Sequence, residues 1–190
     1  SCLIADINGD TKPDIYVGND FLSNDIWYVN QKKDSTVLFE NRVKEIFKHQ
    51  SYSAMGADMA DVNNDGWMDF ITTEMLPYDN RRKKTMLNAN NYTYYINTEK
   101  FNYGYQYIRN TLQVNQGMDP LSHQMIFSDL GIMAGVYQTD WSWAPLLADF
   151  DNDGYKDLFI STGFLRDIND HDWGSYRSSI VALSKSEEAM

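Results

Sequence analysis

The 190-residue sequence predicts an all-β chain built from repeated four-stranded antiparallel units, each with an acidic loop between its first two strands. Three observations point there. A nine-residue acidic motif occurs three times, and a repeat is the feature that constrains a fold most. Each copy follows an alanine (Ala5, Ala60, Ala148) and leads into a short β-type run: Ile15-Tyr16-Val17, Phe70-Ile71-Thr72 and Leu158-Phe159-Ile160. The composition, with 11 glycines and 14% aromatics, leans the same way.

The third copy is the fullest. Asp149, Asp151, Asp153 and Asp157 hold positions one, three, five and nine, with Gly154 at position six. Four carboxylates so close in sequence repel one another unless a hard cation holds them, and Ca²⁺ takes six to eight oxygens from carboxylates, carbonyls and water. Positions one, three and five point inward if the chain curls round the ion. Gly154 permits the left-handed turn that the curl needs, and the carbonyl of Tyr155 adds a further oxygen. The second copy offers Asp61, Asn63, Asp65, the Trp67 carbonyl and Asp69, with Gly66 at the turn. The first offers Asp6, Asn8, Asp10, the Lys12 carbonyl and Asp14. It departs at position six, where Thr11 replaces glycine and Gly9 stands two residues earlier. A β-branched residue is costly at positive φ, so the first loop is the weakest of the three predicted sites.

In chain order, residues 1–17 read as strand, acidic loop, strand, and Gly18-Asn19-Asp20 as a turn. Ile26-Trp27-Tyr28-Val29 and Val37-Leu38-Phe39 read as two further strands that complete a meander. Residues 41–49 make a connector of one or two helical turns. The second unit starts near Ser53, passes through its loop and leaves by 70–73. Its outer strands are delayed to Thr111-Leu112-Gln113-Val114-Asn115 and Gln124-Met125-Ile126-Phe127. The loops begin 55 and then 88 residues apart, and the excess of 33 matches a polar, tyrosine-rich insertion, 79–106, expected to be partly helical. The third unit opens at Thr139-Asp140-Trp141-Ser142-Trp143 and contributes one strand pair. Beyond Gly163 lies a turn-rich acidic stretch and then a weak helix from Trp173. The boundaries predicted are therefore 1–47, 48–130 with the insertion, 131–163, and a helical tail over 164–190.

A formal charge of −11 disfavours nucleic acid or an anionic membrane as partner. Ten aspartates sit in the loops, and three bound Ca²⁺ would bring the charge to −5. The single Cys2 excludes an internal disulfide and reads as a small buried strand residue. No apolar run approaches the roughly 18–20 residues of a membrane span, and no signal peptide is present. Residue 2 already falls inside a repeat, so the chain reads as part of a longer protein that continues into further units or associates with other chains.

Other acidic-loop motifs fit poorly. An EF-hand places a bidentate Glu at position twelve between two helices, and dockerin-type loops also want an acid there. Here position twelve is Val17, Thr72 and Ile160. Metal-free Asp/Asn/Gly turns are the remaining alternative, although turn chemistry needs one or two such residues rather than four at alternate positions.

A repeated four-stranded unit with this loop resembles the FG-GAP or VCBS repeats of integrin-α-like β-propellers, over nearly the whole chain. Within that class Phe47-Lys48-His49-Gln50-Ser51 with Met55-Gly56, Glu74-Met75-Leu76-Pro77, and Trp141-Ser142-Trp143 with Gly163-Phe164-Leu165-Arg166-Asp167 are similar to bacterial VCBS-repeat proteins related to cartilage acidic protein. The resemblance implies a partial β-propeller of four-stranded blades, out of about seven, braced by two or three structural Ca²⁺ ions. It also implies a non-enzymatic module on an extracellular or outer cell surface that binds a glycan or a cell-surface protein.

The remaining residues add little chemistry. His49, His123 and His171 are far apart, and no zinc spacing, phosphate loop or nucleophile elbow is present. Arg81-Arg82-Lys83-Lys84 reads as a solvated face, salt-bridged to the acidic surface. Tyr92, Tyr94, Tyr95, Phe101, Tyr103, Tyr105 and Tyr107 crowd the insertion. Such rings either pack it against the body or grip a sugar or protein. Trp141 and Trp143 share one strand face, where packing is the simpler reading. The alternative function is the propeller portion of a carbohydrate-active enzyme such as a polysaccharide lyase, which needs a base and a charge neutraliser converging on one face.

Overall fold

The computed structural model describes residues 1–20, 23–31, 36, 38–86, 92–163 and 170–187, without side chains for 93, 94 and 183–187. Twelve strands and four helices lie within those residues. The first sheet is a simple meander of β1 (Cys2–Ala5), β2 (Asp14–Val17), β3 (Ile26–Asn30) and β4 (Phe39–Asn41), all antiparallel neighbours in that order. The strand expected from Val37 runs from Phe39, and Val37 lies outside the described residues. Helix α1 (Val43–Ile46) is a single turn in the connector.

The chain continues through β5 (His49–Ser51), β6 (Gly56–Ala60) and β7 (Asp69–Thr73) to α2 (Asn80–Met86) and α3 (Tyr92–Lys100). Next come β8 (Tyr105–Tyr107), β9 (Thr111–Met118) and β10 (Met125–Asp129). The second sheet has the order β10-β9-β7-β6, the same meander with the insertion carried between its second and third strands. Strands β5 and β8, which the sequence did not reveal, pair in parallel: His49 opposes Tyr105 and Ser51 opposes Tyr107. This pair ties the insertion back to the start of its own unit.

The third unit is the antiparallel pair β11 (Ser142–Ala148) and β12 (Asp157–Thr162), and α4 (His171–Glu187) follows. The segment Phe164-Leu165-Arg166-Asp167 lies outside the described residues.

Apolar alternation on the strands makes the cores that hold the sheets together. Between the first two sheets Tyr16, Trp27, Phe47, Phe70 and Phe127 form a cluster of rings at centroid spacings of 4.7 to 5.5 Å, Phe47 sitting among them. Burying such rings removes roughly 150–250 Å² each from water. Between the second unit and the third, Ile71 packs with Leu147, Leu158 and Ile160. Strands β6 and β11 approach so closely at Gly56 that a Cβ there would lie 2.2 Å from the Trp143 carbonyl oxygen. The first strands of successive units thus stack side by side.

Cys2 is exposed rather than buried. Its strand, β1, is an edge of the first sheet, and alternate residues Cys2 and Ile4 turn to solvent. No helix among the described residues is long and apolar enough to cross a membrane.

Candidate metal centre

All three acidic loops fold the same way. The position-one carboxylate accepts the amides of positions five and six. In the third loop Asp149 takes Asp153 N at 3.1 Å and Gly154 N at 2.9 Å. In the second, Asp61 takes Asp65 N at 3.1 Å and Gly66 N at 2.8 Å. In the first, Asp6 takes Asp10 N at 3.0 Å and Thr11 N at 2.7 Å. Position three accepts the position-five amide through Asn8, Asn63 and Asp151. Position five accepts the position-seven amide of Lys12, Trp67 and Tyr155. These local bonds are the reason an Asp/Asn-rich stretch curls instead of extending.

The curl needs left-handed backbone at positions four and six. Those residues are Asn64 and Gly66 in the second loop, and Asn152 and Gly154 in the third, with φ between 59° and 93°. In the first loop the order is exchanged: Gly9 has φ 74° and Thr11 φ 65°. Thr11 therefore takes up the turn despite its β-branch.

The loops differ in what surrounds position five. In the first, the Lys12 ammonium lies 3.0 Å from Asp10 Oδ2. Burial pushes that carboxyl up, but the Lys12 side chain and amide together hold it below its usual range. In the second, Asn63 Nδ2 donates to Asp65 Oδ2 at 2.9 Å. In the third, Asp149, Asp151 and Asp153 each bring one carboxylate oxygen within 4.8 Å of the others. An all-oxygen, all-acid cage suits a hard cation best. The third loop fits Ca²⁺ best and the first fits least, since an ammonium already serves as its counter-charge.

Position nine anchors each loop to its sheet. Asp14 and Asp69 are fully buried. Burial raises both, while the amides that they accept pull the other way: Asn30 and Ile7 on Asp14, Val62 and Asn115 on Asp69. Asp69 Oδ2 takes Val62 N and its Oδ1 takes Asn115 N, both at 2.8 Å. Asp14 Oδ1 takes Asn30 N at 2.8 Å. Asn30 and Asn115 were missed from the sequence, although each follows a valine on a strand that reads Val-Asn. Asp157 holds Phe150 N at 3.0 Å but is exposed.

The loops also touch one another. The Trp67 ring lies against Gly9 of the first loop and Gly117 of β9, and Asn64 Nδ2 donates to the Gly154 carbonyl at 3.0 Å. All three loops consequently line one end of the stacked sheets, and the flanks of each are strands rather than the helices of an EF-hand.

Other predicted residues fall elsewhere. His49 bonds Asp129 at 2.7 Å, and Arg109 bonds the same carboxylate at 2.6 Å. Burial pushes Asp129 up, but the His49 bond, the Gly131 amide and the Arg109 charge outweigh it and set it at about 2. His123 and His171 are exposed and belong to no such cluster among the described residues. In the basic run, Arg82 pairs with Asp140 at 3.0 Å and Lys83 donates to Gln138, while Arg81 and Lys84 face solvent. Trp141 and Trp143 lie ring to ring at 6.4 Å, and the Trp143 indole rests on Gly163. On the insertion Tyr92, Tyr95 and Tyr105 form an exposed row with spacings of 6.3 and 6.0 Å and near-parallel planes. The Tyr94 side chain lies outside the described residues.

With this geometry in place, comparison with known families gives one match: the FG-GAP-like repeat, over residues 6–72. That stretch runs from the first acidic loop through the second and its exit strand, so it supports an FG-GAP-type repeat in this part of the chain. Comparison with curated proteins gives no match.

Proposed function

We infer that the chain is part of a β-propeller-like adhesion or binding module whose acidic loops hold structural Ca²⁺ and whose insertion presents a ligand surface. The observation that carries this is the threefold identity of the loops, supported by the FG-GAP-like match over two of them. Asp149, Asp151, Asp153, Asp157 and the Tyr155 carbonyl would hold one ion. Asp61, Asn63, Asp65, Asp69 and the Trp67 carbonyl would hold a second, and the Asp6–Asp14 loop a third, where Lys12 competes.

Extracellular Ca²⁺ modules bind at roughly 10⁻⁴–10⁻³ M. At about 1 mM Ca²⁺ and a Kd of about 0.1 mM, each site adds about 1.4 kcal/mol. That is enough to brace a loop, so the metal's role on this reading is structural. The ligand would be a glycan or a protein at a bacterial cell surface, met by the exposed row Tyr92, Tyr95 and Tyr105. Aromatic faces of this kind stack on sugar rings and anchor protein contacts.

Binding to a glycan array, with wild type against a Tyr92→Ala/Tyr95→Ala double variant, tests the surface. The reading predicts retained glycans for the wild type and roughly tenfold weaker binding for the variant, the loss of two rings at about 0.7 kcal/mol each. Equal binding by both would remove the insertion from the ligand site. An ultraviolet signal of unsaturated products would favour the lyase alternative instead.

A further inference from the structure

We propose that the tyrosine row of the insertion is a docking surface for an extended segment of a partner protein that carries arginine at alternate positions. The inference rests on the reading above that the insertion meets the ligand, and it names the partner's chemistry. The row is assembled from two elements. Tyr92, Tyr95 and Glu99 are spaced i, i+3 and i+7 on α3 and so share one of its faces. The chain then turns through Asn102, whose φ is 55°, and β8 brings Tyr105 alongside. The three rings are exposed, and successive planes are tilted by only 15° and 18°.

A carboxylate stands at the rim of this row. Glu99 Oε1 accepts the Tyr105 hydroxyl at 3.3 Å, and the Glu99 charge holds the Tyr95 hydroxyl above its usual range. Glu99 forms no ion pair among the described residues. Lys100 beside it turns instead to Phe101, its ammonium 5.6 Å from that ring's centre, and Arg109 lies 5.9 Å from the centre of Tyr107. Two rings flanking the row thus carry a cation from the chain itself. Tyr92, Tyr95 and Tyr105 carry none among the described residues.

A ring face attracts a cation, and so does an unpaired carboxylate. A guanidinium suits both, because its flat surface stacks on rings while its N–H groups fork to a carboxylate. The ring spacing selects the guest's conformation. Centroids fall 6.3 and 6.0 Å apart, and residues i and i+2 of an extended chain, which point the same way, are roughly 6.4–6.8 Å apart. Arginines at alternate positions therefore supply one guanidinium per ring. The formal charge of −11 draws such a segment in from solution.

Calorimetric titration of the whole chain with the peptide Arg-Gly-Arg-Gly-Arg tests this at physiological salt. A lysine counterpart keeps the charge without the flat group, and a citrulline counterpart keeps the shape without the charge. The arginine peptide is expected to bind roughly tenfold more tightly than the citrulline one and roughly threefold more tightly than the lysine one. Glu99→Gln should weaken it roughly threefold, and Tyr92→Ala/Tyr95→Ala roughly tenfold. These side chains are exposed, so both variants should keep the wild-type melting curve. Equal binding of arginine and lysine peptides with no loss in either variant would reveal mere attraction to an acidic chain and overturn the proposal. Glycan binding that the tyrosine variant loses, with no arginine-peptide binding, would overturn it while keeping the insertion as the ligand surface. No binding of either kind would overturn both.

Discussion

Asp69 is fully buried, and both of its oxygens serve backbone amides, one from its own loop and one from β9. Asn115 supplies the second of these and keeps the carboxylate in register with the Met68 carbonyl. Asn115→Ala removes the side-chain half of that arrangement in a buried place and is expected to cost about 1–3 kcal/mol. A denaturant midpoint measured at constant m-value would show it. Glu74 is the other demanding residue. It is fully buried and accepts Ser51 Oγ, Ser53 N and Met75 N, yet burial pushes its pKa up to about 7. Burial likewise sets Asp25, which accepts Tyr16 OH, at about 6. A carboxyl raised in the folded state binds protons more tightly than in the unfolded chain. Stability from these two groups is therefore full below their unfolded values and falls as pH rises through about 6 and then 7. Melting temperatures taken from pH 4 to 8 should decline across that window, each tenfold difference in proton affinity between folded and unfolded chain costing on the order of 1 kcal/mol. Glu74→Gln should flatten the upper part of the decline, and an unchanged slope would contradict the assignment.

At the level of the elements, the contact that sets the spacing between units is Gly56 of β6 against β11. A methyl group there meets backbone, which cannot rotate away. Gly56→Ala is expected to cost about 1–3 kcal/mol or more, lowering the melting temperature by several degrees, whereas alanine at Gly135, with nothing within 4 Å but φ 74°, tests backbone strain alone. The strands that flank the acidic loops were readable because short apolar runs abut Asp and Gly, which supply both the turn and the change of direction. The pairing of β5 with β8 was not readable. Its partners lie 56 residues apart, and His49-Gln50-Ser51 carries no alternation that distinguishes it from loop. The Val-Asn pairs of β3 and β9 were present in the sequence, but their meaning depends on a register that only the folded sheets provide. Cys2 misled because apolar neighbours indicate a strand without saying that it is an edge.

Across the full chain, the three units stack through successive cores, with the acidic loops aligned at one end and the tyrosine-bearing insertion joined to the second unit. Trp67 lies against the first loop and Asn64 bonds the third, so the three loops are linked by direct contacts. Whether these loops are Ca²⁺ cages that brace the inner strand pairs of a radial β assembly is decided by calorimetric titration of the metal-stripped chain with Ca²⁺. Melting curves in chelator and in millimolar Ca²⁺ complete the measurement. Binding heat is expected, with a rise in melting temperature of a few degrees that corresponds to about 1.4 kcal/mol per filled site. Asp151→Ala/Asp153→Ala should remove the third loop's share. No heat and no thermal gain in millimolar Ca²⁺ would rule the cages out.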